Sequence, residues 1–288
     1  MNTTSKATDS KATGSTPPPP LSAAEFKARY GPWAVIAGAS DGTGAAFAEQ
    51  LAASGLNLLL IARRAEPLAA LAARLSASGG VQVRTLPLDL AVPGAADRIL
   101  EAAAPLEVGR YVSNAGADAS GQHFVDAPVQ AWRDLIQRNV ITLVEACHGF
   151  ARLMLPRGRG GLILMGSGAG LGGQPRVAVY SATKGFDLNL AESLWAELKP
   201  RGIDVLDVVA PSMNTETLQR VVSARGLKVS GLLEPKDAVR RVLAELPLGP
   251  ACVFDCGFDI VGPEVLAENR RQRVIAVSEA TRTFYGEV

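Results

Sequence analysis

The stretch WAVIAGASDGTGAAFAEQLAASG, residues 33–55, joins two patterns through a turn. It opens on an unbroken apolar run, as a strand buried on both faces does. It ends alanine-rich and closes on Gly55, as a helix with a glycine at its C-terminus does. Between the two, Gly38, Gly42 and Gly44 strip side chains from the backbone where the helix begins. Glycines there permit a tight turn and let a pyrophosphate reach the first amides, where the helix dipole favours negative charge. With 29 glycines in 288 residues the triplet alone is weak evidence, and a plain strand-to-helix turn stays open as its reading.

Working outward, the alternation repeats. LNLLLIA, VQVRTLPLDL, RYVSNAG, GLILMGS, IDVLDVVA and ACVFD read as further strands. Between them lie the helical PLAALAARLSASG and AADRILEAAA, then one long helix through VQAWRDLIQRNVITLVEACHGFARLML. Short apolar runs alternating with helices imply βαβ units, hence an α/β fold with a doubly wound, mainly parallel sheet. No break in composition divides it, so residues 24–288 are expected to form a single domain. Residues 1–23 hold almost no large apolar side chains and contain four consecutive prolines, a composition too poor in apolar surface to offset chain entropy. They are expected to be a disordered tail.

Composition excludes several classes. Hydrophobic residues make up 48% of the chain, enough for a substantial core. Twenty-nine basic residues against 28 acidic ones leave a net charge of +1, which argues against a nucleic-acid partner. Three cysteines, Cys147, Cys252 and Cys256, give neither a disulfide framework nor a metal-ligand spacing, so no metal is expected. Ordinary thiols fit a reducing cytoplasm. The tail lacks the apolar core of a secretory signal and the arginines of a transit peptide, and no apolar run is long enough to cross a bilayer. A cytoplasmic protein with no membrane partner is expected.

The second strand ends LLLIARRAE, placing Arg63 and Arg64 after Ala62 with no acid before Glu66. In folds that bind adenine dinucleotides, an acid there accepts from the ribose 2′-hydroxyl and an arginine accommodates a 2′-phosphate. The pair favours NADP over NAD, although two arginines opening a solvated helix is the plainer alternative. Asp41 in the glycine loop stands against a phosphate; capping the following helix with its side chain would ease the conflict. Further along, VAVYSATKGF, residues 177–186, sets Tyr180 and Lys184 four positions apart. On a helix they share a face.

Taken together, the glycine loop, SNAG after the fourth strand and YSATK after the fifth resemble the short-chain dehydrogenase/reductase family. The likeness runs from about residue 33 to 254, in order, and implies a Rossmann-type fold. The family's catalytic serine, 13 positions before its tyrosine, falls on Ser167, and its helical asparagine on Asn139. By the same resemblance Gly38, Ser40, Asp41, Gly42, Thr43 and Gly44 would cradle the cofactor. Arg63, Arg64, Asp89 and Leu90 would hold its adenosine, and Asn114, Ala115 and Gly116 would pack beside it. Tyr180 would act as the proton donor or acceptor at a carbonyl or alcohol oxygen while hydride moves to or from the nicotinamide. A free phenol ionises near pH 10, so working near 7 needs roughly 4 kcal/mol of preferential phenolate stabilisation, which the Lys184 ammonium and an oxidised nicotinamide would provide. Lys184 would also hold the nicotinamide ribose, Ser167 would polarise the substrate oxygen, and Asn139 would join a water-linked proton path.

Three features depart from the family pattern. Ala37 stands for a threonine, Thr43 for an aliphatic residue, and Ser212 for the glycine after Pro211. The threonine that contacts the nicotinamide amide becomes Thr215 or Thr217. The following segment, about 212–236, is expected to be a substrate flap whose Leu218, Val221, Val222, Leu232 and Leu233 favour an apolar compound. Residues 267–288 read as a charged C-terminal helix. The family suggests a homodimer or homotetramer, for which Ile136, Val140 and Val144 offer an apolar stripe. His123 and His148 occupy no position the family uses, and Trp132 and Trp195 read as packing residues. Two rival functions are a non-catalytic dinucleotide-binding sensor or scaffold, and a nucleotide-sugar epimerase or dehydratase. The serine–tyrosine register counts against the first, and the short chain after Pro211 against the second.

Overall fold

The structure, a computed structural model, describes residues 21–256 apart from 79, 118–120 and 227. The tail up to residue 20 and the expected C-terminal helix lie outside the described residues. The first element is helix α1 (Ala23–Tyr30), started by a reciprocal cap in which Ser22 and Glu25 bond each other's backbone N–H at 3.3 and 2.9 Å. The alternating units follow: β1 (Trp33–Ala37), α2 (Gly42–Ala53), β2 (Asn57–Ala62), α3 (Ala65–Ala77), β3 (Val83–Pro87), α4 (Ala95–Ala103) and β4 (Val108–Ser113). The second half holds α5 (Val129–Ile136), α6 (Thr142–Met154), β5 (Gly160–Leu164), α7 (Ala178–Leu198), β6 (Ile203–Val209), α8 (Glu216–Ala224), α9 (Pro235–Glu245) and β7 (Ala251–Val253).

The seven strands form one sheet in the order β3-β2-β1-β4-β5-β6-β7, and every pairing is parallel. Successive side chains of a strand serve opposite faces. Ala34, Ile36, Leu58 and Leu60 pack in the core with Phe47, Leu68 and Val239 from α2, α3 and α9. Val35, Ala37, Leu59 and Ile61 pack in a second core with Ile99, Phe150 and Ala191 from α4, α6 and α7. Both faces being covered is the reason β1, and β2 after Asn57, run apolar without interruption.

One expected element is different. The long helix after β4 is broken by a π turn, Gln137–Ile141, between α5 and α6. Its Asn139 is buried, donating from Nδ2 to the Gly116 carbonyl at 3.0 Å and to Thr183 Oγ1 at 3.0 Å. The inward amide, held by two other elements, anchors the widened turn.

At the amino ends of the central strands, α1 lies over two buried charges. Asp204 of β6 accepts from the Tyr30 hydroxyl at 2.7 Å, from Arg29 at 2.7 Å and from Lys199 at 2.6 Å. Arg110 of β4 is fully buried, its guanidinium 4.4 Å from the Phe26 ring centre and 4.1 Å from that of Tyr30. Burial pushes it down to about 10, opposed by Tyr30 and Asp204. Removing Asp204 takes away a carboxylate whose charge offsets the burial of this cation. Asp204→Ala is expected to cost about 3–5 kcal/mol in urea unfolding. Arg29→Ala, at a partly exposed partner, is expected to cost under about 1 kcal/mol.

Candidate active site

The chain winds one way from β1 to β2 and the other way from β3 to β4, so the direction reverses between β1 and β4. At the carboxyl ends of these strands, the usual ligand crevice of such sheets, lies a cleft of about 840 Å³. The glycine loop forms one wall. Gly38 has φ +85°, and a Cβ there would fall 2.7 Å from the Ala115 nitrogen. A Cβ on Gly44 would fall 2.0 Å from the Gly38 carbonyl oxygen. Asn114 Nδ2 donates to that same oxygen at 2.8 Å, tying the loop to the end of β4. Gly44 therefore packs behind the wall, while Gly38, Ser40, Asp41, Gly42 and Thr43 line it. No side chain caps the first turn of α2, which leaves its amides and the positive end of its dipole to an anion. This cradle fits a dinucleotide diphosphate.

The cap that would ease the conflict between Asp41 and a phosphate is not made. Asp41 occupies the N-cap position of α2 but makes no side-chain cap. Its carboxylate instead accepts from Thr217 Oγ1 at 3.0 Å and lies 3.7 Å from Arg220 and 3.9 Å from Arg64. Cations rather than a cap thus balance its charge near the proposed phosphate. Arg63, Arg64, Asp89 and Leu90 line the β2–β3 side, with Arg63 3.9 Å from Asp89. Asn114, Ala115 and Gly116 line the floor, and Pro211, Ser212, Thr215 and Thr217 the flap side. Thr215 uses its hydroxyl to cap α8, accepting from the Leu218 N–H at 3.2 Å. Its methyl group meets Gly42, where a Cβ would come within 2.6 Å.

On the β5 side Ser167, Tyr180 and Lys184 line the same cleft. Ser167 Oγ accepts from the Ala169 N–H at 3.2 Å, starting a short 3-10 turn and leaving its own proton to donate elsewhere. The Lys184 ammonium, 5.8 Å from the Tyr180 ring centre, donates to the Met165 carbonyl at 2.7 Å and to Asp187 Oδ2 at 2.8 Å. A third N–H remains for a ligand. Burial opposes its charge, but Asp187, Tyr180 and Asp207 outweigh that, so its pKa lies above the ordinary lysine value. Asn139 stays behind the wall; its Oδ1 and Lys184 Nζ would meet a Cβ on Gly116 at 3.0 and 3.2 Å.

The flap divides. Leu218 and Val221 line the cleft, whereas Val222 is buried and Leu233 packs on the core. Neither His123 nor His148 lines it. Sequence reading missed Arg138, Gln174, Arg220 and Cys256 in the lining, and Asp187 and Asp207 beneath Lys184. Asp187 had a signal, its spacing of three from Lys184 on a helix. Among the described residues no cluster suits a metal, and no helix is long and apolar enough to cross a membrane.

Comparison with known proteins gives this geometry a lineage. Residues 32–226 match the short chain dehydrogenase family. The 7beta-hydroxysteroid dehydrogenase of Collinsella aerofaciens is 32% identical over 180 residues, covering 62% of this chain and 68% of the relative. A very-long-chain 3-oxoacyl-CoA reductase of Coprinopsis cinerea is 33% identical over 241 residues, covering 82% and 69%. The solved structure of a short-chain dehydrogenase from Sphingobium yanoikuyae in complex with NADPH superposes with a TM-score of 0.69 at 29% identity, covering 89% of this chain and 96% of that one. The chain belongs to the short-chain dehydrogenase/reductase family, whose members are oxidoreductases acting between CH–OH and C=O groups.

Proposed function

We propose that this protein uses NADP(H) to interconvert an apolar ketone and its alcohol, with Tyr180 as the general acid and base. The observation that carries the reading is the shared cleft: Ser167, Tyr180 and Lys184 stand opposite an uncapped helix start beneath the glycine loop. When bound, the dinucleotide supplies or accepts the hydride. Tyr180 gives its proton to the carbonyl oxygen in reduction and takes it back in oxidation. Ser167 donates to the same oxygen as charge develops there. The buried Lys184 ammonium favours the phenolate, and its remaining N–H suits a ribose hydroxyl. Asn139 stations Gly116 and Thr183 around Lys184, from which a proton path to solvent would run.

Arg63 and Arg64 support NADP over NAD: their side chains are 68% and 47% exposed, and among the described residues each has only a long 3.9 Å ion pair. Both forks are therefore available to a 2′-phosphate. The NADPH complex of the related Sphingobium enzyme points the same way. Leu218, Val221 and Val177 along the cleft support an apolar substrate, as do relatives named for hydroxysteroids and very-long-chain 3-oxoacyl-CoA. The partly exposed Ile136 and Val144 support assembly of two or four copies through α5 and α6.

Reduction of a panel of bulky ketones tests the reading. Tyr180→Phe is expected to lower kcat about 10²–10⁴-fold while NADPH binding, followed by fluorescence, is kept. Undiminished turnover in that variant would refute the role given to Tyr180. Replacing both Arg63 and Arg64 with Ala is expected to weaken NADPH about 10–100-fold and to leave NADH almost unchanged. Equal losses for the two cofactors would refute the 2′-phosphate assignment.

A further inference from the structure

Strand β6 carries a charge that its surroundings do not invite. Asp207 is fully buried, and among the described residues neither of its carboxyl oxygens meets a hydrogen-bond donor. The Val208 N–H eases its charge slightly from outside hydrogen-bonding geometry. The turn after β5 presses on it: a Cβ at Gly166 would fall 2.4 and 2.6 Å from its two oxygens. Met165, the residue before, holds the Lys184 ammonium through its carbonyl. Asp187, equally buried, accepts from that ammonium with Oδ2, and among the described residues its Oδ1 has no partner.

Two carboxyl groups and one ammonium thus share a dry pocket beneath the candidate proton donor. If both acids ionised, the group would carry a net negative charge out of contact with water, which is costly. The acid hydrogen-bonded to the ammonium keeps the charge, and the other keeps a proton. Burial first, and then the charge of Asp187, push Asp207 up to about 8. Among the described residues the other titrating groups on the packed elements are Tyr180 and Glu192 on α7, Cys147 on α6 and Cys252 on β7, whose thiol is pushed up by burial first and also by the Asp207 charge. Burial holds Cys147 up at about 12, and Arg138 stands across the cleft.

We propose that Asp207 is a positioning residue acting through Lys184: neutral, it lets the ammonium favour the Tyr180 phenolate, and ionised, it withdraws that help. The inference rests on the acid–base reading of Tyr180 and adds to it a limit on the alkaline side. As pH rises and oxidation gains phenolate, loss of the Asp207 proton adds a second negative charge to the surroundings of Lys184, so less of the ammonium's field is left to favour ionised Tyr180. Proton loss from the two groups is coupled, which broadens the rise of oxidation with pH.

Two spectroscopic measurements test this without relying on turnover. In protein labelled with carbon-13 at the aspartate carboxyl, one signal is expected to titrate near pH 8 and to vanish in Asp207→Asn. In near-ultraviolet phenolate titrations, with Tyr180→Phe as the blank, the Tyr180 midpoint is expected to fall by about 0.5–1 unit in Asp207→Asn. Burial raises Tyr30 and Tyr111 far enough to keep them out of this window. The proposal is overturned if no aspartate titrates between about pH 6 and 9, or if a folded Asp207→Asn keeps the wild-type midpoint. Should that variant not fold, the wild-type carboxyl titration decides alone. Ketone turnover that survives Tyr180→Phe would defeat the catalytic reading yet leave both titrations interpretable.

Discussion

The Gly38 carbonyl oxygen is crowded from two directions, by the backbone of Gly44 and by the amide of Asn114. This contact fixes the start of α2 against the ends of β1 and β4 with no room for a methyl group. Three residues beyond β4 the chain reaches Gly116, whose hydrogen-only side chain lets Asn139 and Lys184 close in. Lys184 in turn grips Met165 at the end of β5. A continuous series of close contacts therefore connects the uncapped start of α2 to Lys184 on the far wall of the cleft. Rigid sheet ends supply the precision that loops alone would lack.

The legible parts of this molecule were those with a strong local cause. Unbroken apolar runs announced the parallel sheet because both of its faces are covered. Gly38 and Gly44 announced the loop because backbone there must touch backbone. Tyr180 and Lys184 announced themselves by helical spacing, and the full order of motifs carried the family. The π turn was not legible, because one extra residue in a turn barely disturbs the apolar period of α5 and α6. Nor was the fate of Asp41: an acid before a helix reads as a cap, and only the fold brings Thr217 and Arg220 to it. The flap's leucines and valines look alike in sequence, yet only some of them turn to the cleft. Asp207 was visible as an acid inside an apolar strand, but its meaning depends on Lys184 arriving from another element.

Charge is distributed unevenly around the cleft. On the β2–β3 side the arginines are largely solvated, so their interactions are screened and easily exchanged for those of a ligand. On the β5–β6 side Lys184 and two acids are shut away from water, where each proton matters to its neighbours. Solvated cations and buried charges thus occupy opposite flanks of one crevice, with different dielectric surroundings.

At the other pole, α1 is held by Asp204 and by Arg110, whose guanidinium lies against the Phe26 and Tyr30 rings of the helix. Gly109 of β4 lets the end of that helix come so near that a Cβ there would lie 2.5 Å from the Tyr30 carbonyl oxygen. The polypeptide consequently enters the sheet from the side remote from the crevice. A label carried on the exposed residues of α1 would therefore sit at the pole opposite the crevice, clear of its mouth.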